Sequence, residues 1–307
     1  MTQAPTGTPA PRAPWYAFAT PTLGKGVRWA SRITHHGGSA FPGKVVERVD
    51  PGFLRRTLAQ LPLGVVLVSG TNGKTTTTRM VSMMLESLGL RVFTNPTGSN
   101  FTRGVVSALL QEVSAGGALD ADIAVLELDE AYAVHFVEQV RPDYALLLNV
   151  MRDQLDRFGE IDNTARLLSR VAAATTGTVV LNREDPRIAA LAQVVPSGTR
   201  TVHFGLSQAL RRFFPTDDDM ATTFERDAAP AVPAAEPTAG TVADVMLTGV
   251  GDHRAQLLID GTEYDSEVRL EGVYNLYNAA AALAVVRAVQ ASVRNPQAIR
   301  ERAARLP

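Results

Sequence analysis

The sequence predicts an α/β protein built on a mostly parallel sheet with helices on both faces. From Val65 to about Gly205, short apolar segments rich in β-branched residues alternate with segments whose apolar residues recur at helical spacing. Strand and helix in alternation indicate a parallel sheet covered on both sides. The first apolar segment leads directly into a glycine-containing turn and then a helical pattern, which is the arrangement of a phosphate-binding loop.

Six apolar segments are strand candidates, and the pattern between the first two predicts a helix. In that helix Met80, Val81, Met84, Leu85 and Leu88 form one apolar face. In a parallel sheet of this kind, ligands bind beyond the C-terminal ends of the strands. The candidates are Val65–Ser69, Arg91–Thr94, Ile123–Leu128, Tyr144–Val150, Val179–Asn182 and Thr201–Phe204.

The rest of the chain divides by composition. Residues 1–14 are rich in Pro, Ala and Thr and are predicted to be disordered, and residues 15–60 form an N-terminal helical segment. A central domain is predicted over 61–290, with an insertion at about 205–270 in which 215–241 is flexible. The insertion also holds a predicted hairpin, Ala255–Ile259 and Ser266–Leu270, across Asp260-Gly261. An Ala-rich helix from Asn278 to Gln290 and a polar tail, 291–307, follow.

Composition excludes several classes of function. A hydrophobic content of 45% and a formal net charge of -1 are typical of a soluble globular protein, and no basic excess favours nucleic acid. We find no apolar run that predicts a membrane span, and no signal peptide, so the expected location is cytoplasmic. The chain has no Cys, which excludes disulfides, thiol nucleophiles and cysteine zinc sites.

The glycine-containing turn, Gly70–Thr76, is the strongest candidate site. In a strand–loop–helix unit the backbone N–H groups and the helix N-terminus bind phosphates. Lys74 would lie along the β- and γ-phosphates, and the Thr75 hydroxyl would bind magnesium. The common P-loop pattern has a Gly where this chain has Val68, but Gly-Thr-Asn-Gly-Lys-Thr-Thr after a buried strand still predicts ATP binding.

Polar residues follow other predicted strands and would lie at the same sheet edge. Glu127 ends a strand, where it is either a magnesium ligand or an ordinary surface carboxylate; Asp129 and Glu130 either support it or are solvated. Two further blocks, 95–100 and 149–159, also follow strands, and the second either positions a carboxylate or a second metal or caps a helix. Asn275 and Asn278 either cap the Ala-rich helix or face a base.

Taken together, these segments resemble the Mur ligase family. They occur in the family's order along its central ATPase domain: Gly70–Thr77, Glu127, Asn149–Gly159, Asn182–Pro186 and Gly272–Asn278. Three blocks resemble the family's amidating branch, the Mur-ligase-like subunits of lipid II isoglutaminyl synthase. They are Gly37–Lys44, Glu127–Glu130 and Arg152–Arg157.

The resemblance implies a reaction and a partner. ATP would activate the α-carboxylate of D-glutamate in the lipid II stem peptide as an acyl phosphate, and ammonia would convert it to D-isoglutamine. A separate glutaminase subunit would supply the ammonia, and the lipid-linked substrate would bring the protein to the inner face of the cell membrane. The alternatives are an amino-acid-adding ligase of the Mur or folylpolyglutamate type, or a nucleotide-binding scaffold without turnover.

The resemblance also assigns roles to residues. Lys74 and Glu127 would be catalytic, Thr75 and Glu127 would hold Mg2+, and Asn275 and Asn278 would contact adenine. ATP phosphates would lie against the loop residues Gly70, Thr71, Asn72, Gly73, Lys74, Thr75 and Thr76.

Several departures from the family pattern shape these expectations. Classical Mur ligases carry a carbamylated Lys, and no Lys follows Lys74 here; they also tend to have His where this chain has Gln154. Both differences favour the amidating branch. Members of that branch commonly carry a four-Cys zinc ribbon, so the absence of Cys predicts no structural zinc. The chain stops about where the C-terminal Mur ligase domain would begin, so we expect ATP binding without turnover, or completion by another polypeptide.

Overall fold

The structure is a computed structural model that describes residues 19–33, 41–96, 98–151, 160–213, 242–251, 253–268 and 272–293. Its strands are β1 (Val65–Ser69), β2 (Val92–Thr94), β3 (Ile123–Glu127), β4 (Tyr144–Leu147), β5 (Thr178–Asn182), β6 (Arg200–Leu206), β7 (Val245–Gly251), β8 (Arg254–Ile259) and β9 (Thr262–Glu267). Its helices are α1 (Thr20–Ile33), α2 (Phe41–Val49), α3 (Phe53–Leu58), α4 (Lys74–Ser87), α5 (Thr102–Glu112), α6 (Glu130–Val137), α7 (Glu160–Ala174), α8 (Pro186–Ala190) and α9 (Val273–Val293).

The strands form one nine-stranded sheet in the order β2-β3-β1-β4-β5-β6-β7-β8-β9. The pairings from β2 through β7 are parallel, and β8 and β9 continue the sheet as an antiparallel hairpin. From β1 the chain continues to β2 on one side of the sheet, and from β4 it continues to β5 on the other side. The loops after β1 and β4 therefore lead in opposite directions, and ligands bind at such a point in doubly wound sheets.

Both faces of the sheet are covered, which confirms the predicted α/β class. In β1, Val65 and Leu67 belong to one apolar core, and Val66 and Val68 belong to the other. This is why the strand reads as an unbroken apolar run rather than an alternating one. The helix α4 buries Val81 and Leu85 in the second core, as its spacing predicts, whereas Leu88 is exposed.

The 21-residue helix α9 is also part of this second core. Ala281 and Val285 are fully buried, and the helix packs against α4, β6 and β7. Within the described residues it is the one helix whose length and apolar composition would allow it to cross a membrane, so our expectation of no such segment was too strict. Half of its most apolar stretch is buried inside the protein, as in the core helix of a soluble domain.

Some element boundaries differ from those predicted. β9 begins at Thr262 rather than Ser266, because Asp260 (φ 48°) and Gly261 (φ 81°) both have positive φ and form a two-residue hairpin turn. α9 begins five residues before Asn278, directly after Gly272 (φ 88°). β7 was not predicted, because it directly follows a stretch without apolar periodicity. Predictions on 1–18, 34–40, 152–159, 214–241, 269–271 and 294–307 lie outside the described residues.

The helices α1, α2 and α3 pack beside α5. At the crossing of α2 and α5, the backbone N–H of Gly43 donates to Ser107 Oγ at 3.0 Å. A Cβ built on Gly43 would overlap the carbonyl oxygen of Arg103 and lie 2.8 Å from Ser107 Oγ. The two helices therefore approach this closely only because residue 43 is Gly.

We expect Gly43→Ala to destabilise the protein by about 1–3 kcal/mol, because the added methyl group overlaps backbone that cannot rotate away. Gly26→Ala, on α1, is the matched control. A Cβ there has no atom within 4 Å, and the same change in an open helix position stabilises by about 0.5–1 kcal/mol. Urea denaturation of both variants measures the difference. Equal stability of the two would show that α2 and α5 are not held at this distance.

Candidate nucleotide-binding site

The turn after β1 depends on two glycines. Gly70 has φ 132° and Gly73 has φ 84°, both unfavourable for other residues. The two positions are also crowded. A Cβ on Gly70 would lie 3.0 Å from the backbone N and O of Asn149, and one on Gly73 would lie 2.9 Å from Asn278 Oδ1. The loop is therefore enclosed by the segment after β4 on one side and by α9 on the other.

The side chain of Lys74 folds back over this loop. Its Nζ donates to the carbonyl oxygens of Gly70 at 2.6 Å and Thr71 at 3.0 Å. It also lies 3.2 Å from Asp129 Oδ1, and 13% of the side chain is exposed. The ammonium is thus held at the loop, with its charge available to an anion bound there.

Thr75 and Glu127, the predicted metal ligands, are in direct contact. Thr75 Oγ1 donates to Glu127 Oε1 at 2.8 Å. Asn95 fixes the backbone of Glu127 from both sides: its Oδ1 accepts from Glu127 N and its Nδ2 donates to Glu127 O, each at 2.9 Å. The carboxylate is therefore buried and pre-positioned beside the first turn of α4.

The Thr75–Glu127 pair is better suited to magnesium than to a metal ion that protein side chains alone coordinate. In the described part of the chain, no three His, Asp or Glu side chains form a metal-binding cluster. Magnesium commonly takes one or two protein oxygens and completes its shell with phosphate oxygens and water. A hydroxyl and a carboxylate next to a phosphate-binding loop are a suitable donor set.

The loop amides are not all equally available. The N–H groups of Thr71 and Asn72 donate to the backbone oxygen and the Oδ1 of Asn149, at 2.9 Å and 2.8 Å. The first N–H groups of a helix lack an intrahelical acceptor, so an anion would find its donors from Gly73 into the start of α4. The predicted contacts of Thr71 and Asn72 with phosphate would therefore not come from their backbone N–H groups.

The predicted adenine residues lie at the start of α9. Asn278 is beside Gly73, as described above, and the backbone N–H of Asn275, one turn earlier, donates to Gly272 O at 3.0 Å. Between them, the hydroxyl of Tyr277 donates to Asn182 Oδ1 at the end of β5. Burial, reinforced by the nearby charge of Glu184, raises the pKa of Tyr277 well above its ordinary value, so the phenol remains protonated. This bond fixes the start of α9 against the sheet.

The block Asn182–Pro186, which begins at the last residue of β5, contacts the segment after β4. Asn182 Nδ2 donates to Leu148 O at 2.8 Å, and Asp185 Oδ2 accepts from Val150 N at 2.7 Å. Asp185 Oδ1 also caps α8, and burial raises the pKa of its carboxyl. The buried Glu184 accepts from Arg183 Nε at 2.9 Å. The block therefore holds the start of the segment that follows β4.

Sequence reasoning placed Asn95 and Asn182 in blocks of interest but did not predict what either side chain contacts. Each stands at the C-terminal end of a parallel strand, which is the one signal that identifies them. Asp129 lies beside Lys74 and accepts from Asn100 Nδ2 at 2.5 Å, whereas Glu130 begins α6. Residues 152–159, the larger part of the predicted 149–159 block, lie outside the described residues.

A glycine loop, a lysine over it and a hydroxyl–carboxylate pair at the first turn of a helix define an α/β domain of the P-loop nucleotide-binding class. Residues 68–286 match the Mur ligase middle domain. The chain belongs to the Mur ligase family.

Two curated relatives illustrate the range of the family. The chain is 30% identical over 270 residues to the lipid II isoglutaminyl synthase (glutamine-hydrolyzing) subunit MurT of Streptococcus pneumoniae, covering 81% of this chain and 58% of the relative. It is also 30% identical over 230 residues to the UDP-N-acetylmuramoylalanine--D-glutamate ligase of Burkholderia cenocepacia, covering 73% and 43%. The chain thus spans about half the length of these relatives.

Among solved structures, the fold is similar to MurF ligase from Thermotoga maritima in complex with ADP. The TM-score is 0.57 at 21% identity, over 77% of this chain and 48% of that one. The similarity confirms the predicted Mur ligase fold.

Proposed function

We propose that this chain is the ATP-binding part of an amidating ligase of peptidoglycan biosynthesis. Its reaction would convert the D-glutamate α-carboxylate of the lipid II stem peptide to the amide of D-isoglutamine. The observation that carries the proposal is the similarity to a MurT subunit over 81% of the chain, which includes the whole Lys74, Thr75 and Glu127 arrangement.

In this proposal the residues described above hold the nucleotide and its metal. Lys74 and the amides from Gly73 onward contact phosphates, Thr75 and Glu127 hold Mg2+, and Asn275 and Asn278 contact adenine. Bound magnesium would neutralise charge on the phosphates. The protein's own contribution is positioning and electrostatic stabilisation, which dominate catalysis of phosphoryl transfer.

The proposed reaction has two steps. A substrate carboxylate oxygen attacks the γ-phosphorus of ATP, the bond to the bridging oxygen breaks, and ADP leaves with the formation of an acyl phosphate. Ammonia then attacks the carbonyl carbon, the C–O bond to phosphate breaks, and phosphate and a proton leave. In this second step the nitrogen would come from a glutaminase subunit in a heterodimer, consistent with the words "glutamine-hydrolyzing" and "subunit" in the relative's name.

The test is mass spectrometry of lipid II after incubation with this chain, ATP, Mg2+ and ammonium. A parallel sample contains the glutaminase and glutamine in place of ammonium. Conversion of acid to amide with equimolar ADP release in either sample would support the proposal. ADP release with lipid II left as the acid would contradict the proposal.

The second candidate function is an amino-acid-adding ligase, favoured by the similarity to the D-glutamate ligase of Burkholderia cenocepacia. The same assay distinguishes it. D-Glutamate-dependent ADP release with a UDP-linked acceptor, in the absence of ammonia and glutamine, would support this alternative. ATP binding without turnover under every condition would instead favour a nucleotide-binding scaffold.

A further inference from the structure

The side chain of Asn149 makes the same pair of contacts with the phosphate-binding loop that a neighbouring strand would make. Its Oδ1 accepts from the backbone N of Asn72 at 2.8 Å, and its Nδ2 donates to the backbone O of Asn72 at 3.0 Å. The backbone adds two bonds: Thr71 N donates to Asn149 O at 2.9 Å, and Met151 N donates to Thr71 Oγ1 at 3.1 Å. Asn72 Nδ2 also donates to Met151 Sδ at 3.4 Å, so five hydrogen bonds join the segment after β4 to two consecutive loop residues.

These bonds complete a pattern in which every loop carbonyl has a donor. Lys74 Nζ donates to the carbonyl oxygens of Gly70 and Thr71, and Asn149 Nδ2 donates to that of Asn72. The carbonyl oxygen of Gly73 accepts from Thr77, both from its N at 2.9 Å and from its Oγ1 at 2.8 Å. A carbonyl oxygen that points into the loop would repel a bound phosphate. Each of these donors offsets the repulsion from one carbonyl dipole.

Asn149 differs from the other donors in where it lies. Lys74 and Thr77 belong to α4, which directly continues the loop, so these two donors would move together with the loop. Asn149 lies two residues past the end of β4, the strand that pairs with β1, and the close approach of Gly70 to its backbone leaves the loop no room to shift toward it. The loop is therefore held to the rigid sheet at residues 71 and 72 before any ligand is present.

We infer that Asn149 is the positioning residue of the phosphate-binding loop, which it holds in its anion-binding shape before the nucleotide binds. The inference rests on the nucleotide site of the proposed function and deepens it. Holding the loop in advance spares the binding step the entropy of ordering it, so the effect appears as nucleotide affinity.

Two substitutions separate the two side-chain bonds. Asn149→Asp has the same shape and still accepts from Asn72 N, but it places a carboxylate oxygen against the carbonyl oxygen of Asn72. Asn149→Ala loses both bonds. We expect each to raise the Kd for Mg-ADP, measured by titration calorimetry on the full chain, by about 10- to 100-fold, which is the cost of one or two hydrogen bonds, and the Asp variant adds repulsion between its charge and the phosphates. Asn163→Ala, on the exposed surface of α7, is the matched control and leaves the Kd unchanged.

Amide hydrogen exchange in the nucleotide-free protein tests the positioning itself. In Asn149→Ala the N–H of Asn72 loses its acceptor and exchanges faster, whereas in Asn149→Asp it stays protected. The N–H of Thr71 is the internal reference, because its acceptor is the backbone oxygen of residue 149 in every variant. Unchanged exchange at Asn72 in the Ala variant overturns the inference, and so does faster exchange without loss of affinity.

The outcome separates this inference from the proposed function. A wild-type chain that does not bind Mg-ADP contradicts the proposed function, and the exchange of Asn72 still decides whether Asn149 holds the loop. If Asn149→Ala does not fold, the isosteric Asp variant carries the test. Its expected result is weakened binding with Asn72 still protected, and unchanged binding overturns the inference.

Discussion

Lys74→Ala is expected to reduce ATP-dependent turnover by about 10²–10³-fold, the loss typical of one electrostatic contact to the reacting group. Its Nζ is the cation held over the loop, where it would face the phosphates. Lys74→Arg is expected to restore little, because a planar guanidinium cannot replace a compact ammonium that donates to two carbonyl oxygens at once. ADP release measured with lipid II and ammonium reports the effect.

The chain offers a matched control for this substitution. Lys25 Nζ on α1 also donates to a backbone carbonyl, that of Val113, at 2.6 Å. We expect Lys25→Ala to leave turnover unchanged, since α1 packs beside α2 and α5 rather than at the loop. Normal turnover by Lys74→Ala, with a folded protein confirmed by thermal denaturation, would remove Lys74 from the mechanism.

Glu127→Gln is expected to lower turnover by about 10²-fold or more and to raise the Mg2+ concentration needed for half-maximal rate. The amide retains the shape of the side chain, and its oxygen still accepts from Thr75 Oγ1. What is lost is the negative charge, which a magnesium ligand needs and a mere packing residue does not. Titration of the rate with Mg2+ at saturating ATP is the measurement.

Glu86→Gln, on the exposed surface of the same helix that carries Thr75, is the control for charge alone. It removes one carboxylate from α4 without touching Glu127, and the Mg2+ dependence should stay that of the wild type. If Glu127→Gln and Glu86→Gln had the same Mg2+ requirement as the wild type, Glu127 would have no role in holding the metal.

The sequence was sufficient to predict the fold because its strongest signals are local. The unbroken apolar run of β1 and the glycines after it identify a buried strand and a phosphate-binding turn, and the apolar face of α4 follows from spacing alone. These features depend on neighbours along the chain, which a sequence displays directly.

The interactions that shape the site are not local, and this is why they were not predicted. Asn95 contacts Glu127, Asn149 contacts Asn72, and Tyr277 contacts Asn182, each across dozens of residues. The spacing of the sequence did not decide whether Asn275 and Asn278 cap a helix or contact a base. In the structure Asn278 lies against Gly73, within the helix rather than at its end.

Three asparagines, Asn95, Asn149 and Asn182, stand at or just after strand ends and hold the loops there through neutral amides. An aspartate in these places would satisfy the N–H groups but would add negative charge where a triphosphate binds. At these three strand ends the shape is maintained by uncharged amides, whereas Lys74, Glu127 and Asp129 carry charge near the loop. Because salt screens charges and scarcely affects short neutral hydrogen bonds, rising ionic strength should weaken the hold on the nucleotide while the loop keeps its form.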